Sequence, residues 1–275
     1  MRYLEITCTI TRGQQYVIVE SPEVYEYYKC PTQGKTAALI YGISKIDLDD
    51  YDVIVLVDDD VKATRLDNFV QRFYDPTLGV LCGNREFTNT STIASAARHL
   101  WGVHARPIME LARIPCGALM GIRVQLIPEF LELWATTVFD DTAAAKIAKA
   151  RGYTFRYDRN YRKTIDASTI SLVEFWRFVV RQYADVRSIG PWKSLLCAWA
   201  LALIVSALPY LIMGPSAFLL YPLGLFVPGT RRNWRVMLAL PLAHASFIIG
   251  VPYAAMVKKI KWKHRTVDLK TGAFV

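Results

Sequence analysis

The stretch VIVLVDDDV, residues 53–61, runs from five apolar residues directly into three carboxylates. The apolar, mostly β-branched run predicts a strand that is buried on both faces, as in a parallel sheet. Three adjacent like charges destabilise a folded site unless a cation or hydrogen bonds offset their repulsion. Ligands of open α/β sheets bind beyond the carboxyl ends of the strands, so the stretch predicts a ligand site where this strand ends. A strand-end turn with solvated acids is the alternative for the triplet taken alone.

Strand and helix patterns alternate on both sides of this stretch. Residues 16–20 and 79–83 have the composition of strands, whereas residues 35–43, 66–74 and 142–151 have the pattern of helices. Strands that alternate with helices predict an α/β fold in which helices flank the sheet.

The composition limits the possible partners. The 275 residues carry a net charge of +9 and 53% of them are hydrophobic, a high share for a purely soluble protein. A basic balance fits anionic lipid, a phosphate-bearing substrate or nucleic acid. Because the positive charge adjoins apolar runs, nucleic acid is not an expected partner. The five cysteines form no CxxC pair and no signal peptide is visible, so we expect reduced thiols in a cytosolic globular part.

The last third of the chain contains two long uncharged runs, at residues 194–230 and 236–257, and three arginines separate them. Residues 195–213 and 236–257 are each long enough to cross a bilayer as a helix. Residues 217–227 fit a third crossing, a re-entrant segment or an interfacial piece. The positive-inside rule favours two crossings with both chain ends in the cytoplasm.

The chain is therefore expected to contain four regions. They are a cytoplasmic catalytic domain (1–167), an interfacial amphipathic helix (168–193), a transmembrane region (194–257) and a basic cytoplasmic tail (258–275).

Two acidic groups are candidates for chemistry. Alternate residues of an extended chain point the same way, so Asp58 and Asp60 can share one direction and hold Mg²⁺ or Mn²⁺. Asp140 and Asp141 head a predicted helix. A carboxylate there either caps the helix or serves as a general base that takes a proton from an attacking hydroxyl.

Two further segments are weaker candidates. PCGALMGIR, residues 115–123, contains Gly117 and Gly121, which permit close packing or close approach to a ligand. RFVVRQYADVR, residues 177–187, contains Arg181 and Arg187, which fit contacts with a pyrophosphate or with lipid headgroups.

In order along the chain, these segments resemble the motifs of membrane-bound family 2 glycosyltransferases, the class of hyaluronan and cellulose synthases and ceramide glucosyltransferase. The resemblance runs from about Gly34 to the C-terminus and rests on GKTAALIYGI, DVIVLVDDDV, DPTLGVLCGNREFTN, PCGALMGIR and FDDTAAAKIAKARGYTFRYD. It implies a GT-A-like, Rossmann-type mixed sheet flanked by helices and followed by transmembrane helices. It also implies an enzyme of the cell membrane that transfers a sugar from a nucleotide sugar, with a UDP-sugar as first candidate, to a lipid-linked or polysaccharide acceptor. Transfer would invert the anomeric centre in one displacement.

The resemblance assigns roles residue by residue. Asp58 and Asp60 would hold the donor diphosphate, Asp60 through the divalent cation, and Asp141 would be the base, with Asp140 the runner-up. The remaining implied contacts are to the donor for Lys35 and Arg181, and to the acceptor for Gly117 and Gln182.

The sequence departs from the family at two places. The QxxRW motif is altered, with Phe178 and Gln182 in place of its glutamine and tryptophan, which favours a single transfer over processive synthesis. At the N-terminus, residues 16–20 resemble the second strand of the family, so the first strand is either abbreviated within residues 1–10 or missing. The alternative function is therefore a non-catalytic membrane subunit that needs a partner chain to complete the donor site.

Overall fold

The computed structural model describes residues 1–11, 14–20, 25–31, 34–58, 66–165, 168–213, 226, 230–231, 233–262 and 265–270. The chain forms two compact units. The first unit comprises Met1–Arg85, Pro115–Lys163 and Lys259–Val275, and the second comprises Glu86–Ile114 and Thr164–Lys258.

A seven-stranded mixed sheet is the frame of the first unit. Its strands are β1 (Tyr3–Thr11), β2 (Gln14–Glu20), β3 (Tyr25–Lys29), β4 (Val53–Asp58), β5 (Leu78–Phe87), β6 (Leu119–Arg123) and β7 (Thr154–Ile165). They lie in the order β3-β2-β1-β4-β6-β5-β7. The predicted α/β architecture with a mixed sheet is therefore confirmed.

The strand that contains VIVLV is the central strand β4, and its five apolar residues are all buried. It pairs in parallel with β1 on one side and antiparallel with β6 on the other. Its last residue, Asp58, lies beside Cys8 of β1 and donates its backbone N–H to the carbonyl of Ala118, 3.1 Å away. Asp58 thus ends a strand that has hydrogen-bonded neighbours on both sides.

Helices cover both faces of this sheet. On one face, α1 (Lys35–Ile43), α4 (Ile127–Thr136) and α5 (Ala144–Ala150) pack over residues such as Ile54 and Leu56. On the other, the short helix α2 (Asp67–Val70) continues as a 3-10 turn that places Phe73 over Gly121. A Cβ on Gly121 would lie 2.8 Å from the Phe73 ring, so this glycine allows the aromatic side chain to pack directly on β6.

Several predicted elements are confirmed and others differ. The helix at 35–43 and the strands at 16–20 and 79–83 are present. The predicted helix at 66–74 is helical only in part, because its second half is the 3-10 turn. The N-terminal residues form the strand β1, which is antiparallel to β2 and parallel to β4.

Among the described residues of the second unit, four helices share one apolar core: α3 (Ile93–Ala112), α6 (Leu172–Ile189), α7 (Trp192–Met213) and α8 (Trp234–Met256). The start of α6 is fixed by a capping box, in which the Ser171 hydroxyl accepts from the Glu174 N–H and the Glu174 carboxylate accepts from the Ser171 N–H. The sequence patterns did not predict α3, which contains Pro107.

Helices α7 and α8 coincide with the two runs that were predicted to cross a membrane. Among the described residues, α8 is the one helix that is long and apolar enough for a crossing by length and composition. The apolar segment 217–227 lies outside the described residues, apart from Phe226. Part of the basic tail forms a hairpin of β8 (Lys259–Trp262) and β9 (Arg265–Asp268).

Candidate functional site

The candidate site lies in the first unit, where β4 ends. Gly34 precedes α1 with a φ of 126°, a conformation that favours glycine, and Lys35 is the first residue of the helix. Asp58 ends β4 on the sheet face that α1 covers, because it follows Ile54 and Leu56 at alternate positions. Asp59 and Asp60 lie outside the described residues, so the predicted placement of Asp60 stays a prediction.

The ammonium group of Lys35 lies between two carboxylates. Its Nζ is 2.5 Å from Asp58 Oδ1 and 2.6 Å from Asp140 Oδ2. The side chains are 28% exposed for Lys35, 26% for Asp58 and 12% for Asp140, so the cluster can be reached from solvent. Burial by itself would lower the pKa of Lys35, but Asp140 and Asp58 outweigh it and hold that pKa well above its usual value. Lys35 is therefore charged and supplies the cation that offsets the repulsion of the acids.

Asp141 occupies a different environment from its neighbour Asp140. Its Oδ2 accepts the backbone N–H of Gly117 at 2.5 Å, and its Oδ1 accepts the hydroxyl of Thr142 at 3.1 Å. Burial and, after it, the charge of Asp140 raise the pKa of Asp141 to about 6, against the opposing effects of Lys35, Arg85 and the Gly117 N–H. Asp141 thus changes its charge near neutral pH, as a general base must.

The alternative role of helix capping does not describe this pair. Helix α5 begins at Ala144, its N-cap residue is Ala143, and no side chain accepts a hydrogen bond there. Asp141 instead belongs to a turn in which its carbonyl accepts the N–H of Ala144 at 2.8 Å. The Asp141 carboxylate is therefore directed to Gly117 and not to the end of the helix.

Gly117 lies directly against the base candidate. A Cβ at this position would meet Asp141 Oδ2 at 2.7 Å and Asp141 Cγ at 3.0 Å, distances that real Cβ contacts do not reach or rarely reach. The glycine predicted to border the acceptor thus makes room for the carboxylate of Asp141, and its acceptor contact stays a prediction.

The other two predicted site residues, Arg181 and Gln182, belong to α6 in the second unit. Their contacts to a donor and an acceptor stay predictions. The neighbouring Arg187 has a structural role, because its Nη1 donates to the carbonyl of Ala254 at 2.7 Å and to the carbonyl of Val257. It thereby satisfies free carbonyls at the end of α8.

The chemistry of the described residues limits what the site can bind by itself. No three of their His, Cys, Asp or Glu side chains are grouped as a metal site. Asp58, one of the two predicted metal ligands, is paired with Lys35. Binding of Mg²⁺ or Mn²⁺ by Asp58 and Asp60 stays a prediction, because Asp60 lies outside the described residues.

Three residues near the acids were not singled out in the sequence. Burial raises the pKa of Cys8 to about 12 and also raises the pKa of Cys82 and Cys116, so these thiols stay neutral and are poor nucleophiles. Their sequence signal was weak, because buried cysteines are common in apolar cores.

Comparison with known proteins finds similarity in structure but no match in sequence. No family model matches the sequence, and no curated protein matches it. Among solved structures, the chain is similar to the mannosyltransferase PcManGT from Pyrobaculum calidifontis, which was determined in complex with GDP-Man and Mn²⁺. That similarity has a TM-score of 0.42 at 15% sequence identity and covers 82% of this chain and 64% of the mannosyltransferase chain. This chain thus spans less than two thirds of the length of that mannosyltransferase.

Proposed function

We propose that this protein is a membrane-attached inverting glycosyltransferase that uses a nucleotide sugar, with a UDP-sugar as the first candidate. The observation that carries the proposal is that two adjacent carboxylates, Asp140 and Asp141, which lie between α4 and α5, have different environments. Asp140 is held by Lys35, whereas Asp141 is partly buried and accepts a backbone N–H, and burial and the charge of Asp140 raise its pKa to about 6. Two carboxylates whose environments differ in this way suit one positioning role and one proton-transfer role.

The base step follows from the position of Asp141. An acceptor hydroxyl loses its proton to the Asp141 carboxylate while its oxygen forms a bond to the anomeric carbon of the donor sugar. The bond from that carbon to the diphosphate oxygen breaks in the same step, and the diphosphate keeps the electron pair. A single displacement inverts the anomeric centre and forms no covalent enzyme intermediate. Above its pKa of about 6, Asp141 is ionised and ready to accept the proton.

Donor binding is assigned to Lys35, Asp58 and Asp60. The Lys35 ammonium group is charged and partly exposed. When it exchanges one of its carboxylate partners for a diphosphate oxygen of the donor, it would bind the leaving group. By the resemblance to family 2 glycosyltransferases, Asp58 and Asp60 would hold Mg²⁺ or Mn²⁺. A cation bound there would neutralise the charge of the diphosphate.

Attachment to a membrane is proposed from the exposed apolar surface of α8 in the second unit. One face of α8 is exposed and apolar along its length, with Trp234, Met237, Leu238, Ile249 and Met256 each more than half exposed. Water does not favour such a continuous apolar helix face, whereas a bilayer does. The acceptor is accordingly expected to be lipid-linked or a growing polysaccharide at the cytoplasmic face of the membrane.

The test is binding of UDP, and separately GDP, to the purified protein in detergent, with and without Mn²⁺. We expect Mn²⁺-dependent binding that is lost in Asp60→Asn and kept in Asp50→Asn, a matched control whose side chain is 68% exposed and paired with Arg2. A thermal denaturation curve for each variant verifies that it is folded.

Absence of nucleotide binding would overturn the enzyme hypothesis. If the folded wild-type protein binds neither nucleotide, the donor site is not functional in this chain by itself. The alternative of a non-catalytic subunit that needs a partner chain then replaces the enzyme hypothesis.

A further inference from the structure

Three consecutive residues, Cys116, Gly117 and Ala118, connect separate parts of the candidate site through their backbone. The Cys116 N–H donates to the Cys82 sulfur at 3.4 Å, and this sulfur belongs to β5. The Gly117 N–H donates to Asp141 Oδ2 at 2.5 Å. The Ala118 carbonyl accepts the N–H of Asp58 at 3.1 Å. The segment 116–118 is therefore held on both sides of the peptide that binds Asp141.

The segment is buried as well as hydrogen-bonded. Cys116 is 6% exposed and Ala118 is 1% exposed. A backbone that is held at both ends and packed into the core presents its N–H in one direction, and no side-chain entropy is lost when it binds a carboxylate. A carboxylate that accepts such a bond is favoured in its charged form.

The missing side chain of Gly117 is part of the same arrangement. A Cβ would lie 2.7 Å from Asp141 Oδ2, 3.0 Å from Cγ and 3.1 Å from Asp141 Cβ, so any larger residue displaces the carboxylate. The hydrogen bond donated by Gly117 and the absence of a Cβ on Gly117 thus both act on the side chain of Asp141.

We propose that Gly117 is a positioning residue that sets the location and the basicity of the Asp141 carboxylate, and that the segment 116–118 connects this base to the strand end at Asp58. The inference rests on the proposed function, because it assigns Gly117 to the base and not to the acceptor. It also makes Gly117 a residue whose substitution alters proton transfer without altering donor binding.

The experiment compares wild type with Gly117→Ala. Protein labelled at the aspartate γ-carbon is titrated by ¹³C NMR in detergent, and the Asp141 signal is assigned by its absence in Asp141→Asn. In Gly117→Ala the displaced carboxylate loses much of its hydrogen bond, so we expect the pKa of Asp141 to rise by about one pH unit. The rate of sugar transfer, measured with a donor and acceptor that the wild type uses, should fall by about 100-fold. In a plot of this rate against pH, the decline on the acid side should move to higher pH. Mn²⁺-dependent nucleotide binding should stay within about twofold, since donor binding is assigned to other residues.

Two further variants keep the test decisive. Gly102→Ala is the control, because a Cβ there meets Phe87 at an ordinary 3.4 Å, and it should leave the Asp141 titration unchanged. Cys82→Ala removes the sulfur that holds Cys116 and should move the pKa of Asp141 in the same direction by a smaller amount. If Gly117→Ala does not fold, the titration of Cys82→Ala decides.

The two proposals fail in different ways. An Asp141 titration in folded Gly117→Ala that matches wild type overturns the positioning role and leaves the proposed function intact. A wild type that binds neither nucleotide overturns the proposed function, while the titration still tests whether Gly117 sets the basicity of Asp141.

Discussion

The candidate site is tested most directly by removing the Lys35 ammonium group, which lies between Asp58 and Asp140. Lys35→Met keeps most of the side-chain volume and deletes the charge that lies 2.5 Å and 2.6 Å from the two carboxylates. Breaking a buried ion pair by removing one partner costs about 3–5 kcal/mol, whereas surface pairs contribute about 0–1 kcal/mol. The exposed fractions of 28%, 26% and 12% place this cluster between those limits. We therefore expect the free energy of unfolding to fall by about 2 kcal/mol, which lowers the Tm by about 4–8 °C.

The loss of stability in Lys35→Met should increase as the pH rises. The raised pKa of Lys35 means that its stabilisation is fully present below its unfolded-state pKa and is lost only at alkaline pH, above the range of this test. Lys35 also lowers the pKa of Asp141, so its removal raises that pKa further above about 6. A carboxyl group with a raised folded-state pKa loses stability as the pH rises through that pKa. The destabilisation of Lys35→Met should thus be larger at pH 8 than at pH 5.

The assay is thermal denaturation of the full chain in detergent, followed by tryptophan fluorescence at several pH values. Lys45→Met is the matched control, because Lys45 is exposed and lies over the Tyr41 ring, with 5.2 Å from Nζ to the ring centroid. The control should stay within about 0.5 kcal/mol of wild type. A Tm of Lys35→Met that equals wild type at pH 8, or a loss that is the same at pH 5 and pH 8, would refute the reasoning.

Two further predictions concern single contacts. Asp141→Asn should raise the Tm at pH 8, because ionisation of a carboxyl group with a raised pKa opposes folding. It should also abolish the fall in stability that wild type shows as the pH rises from the ordinary pKa of 3.8 to about 6. A lower Tm at pH 8 measured by the same assay would contradict this. Arg187→Met leaves the carbonyls of Ala254 and Val257 without their guanidinium donor and should lower the Tm by about 2–4 °C, through a loss of about 1 kcal/mol. The exposed Arg177 on the same helix provides the control, and an equal effect of Arg177→Met would argue against the capping role.

Elements with a strong local signal were predicted well. The helix at 35–43 has the predicted bounds, and β4 extends the predicted strand by one residue. The two uncharged runs overlap most of α7 and α8, each of which begins two residues before its run. In each case the pattern of apolar residues and the flanking glycine or charges act within a few residues of each other, so they can be read from the sequence.

Helix α3 shows where local signals are not sufficient. Its interior Pro107 removes a backbone donor, and its residues include two histidines and two arginines that weaken an apolar pattern. Packing of residues such as Leu100 against the apolar core of the second unit stabilises the helix in spite of this. That gain arises from residues far away in sequence.

The sequence by itself determined that an apolar strand ends in acids, that a lysine starts the helix before it, and that a second acidic pair precedes a helix. Only the tertiary structure decided which of these groups meet. It placed Lys35 between Asp58 and Asp140, and it gave Asp141 to the backbone of Gly117. The physical reason is that strand pairing and helix packing bring together residues that lie far apart along the chain, and a carboxylate takes its pKa and its role from those neighbours.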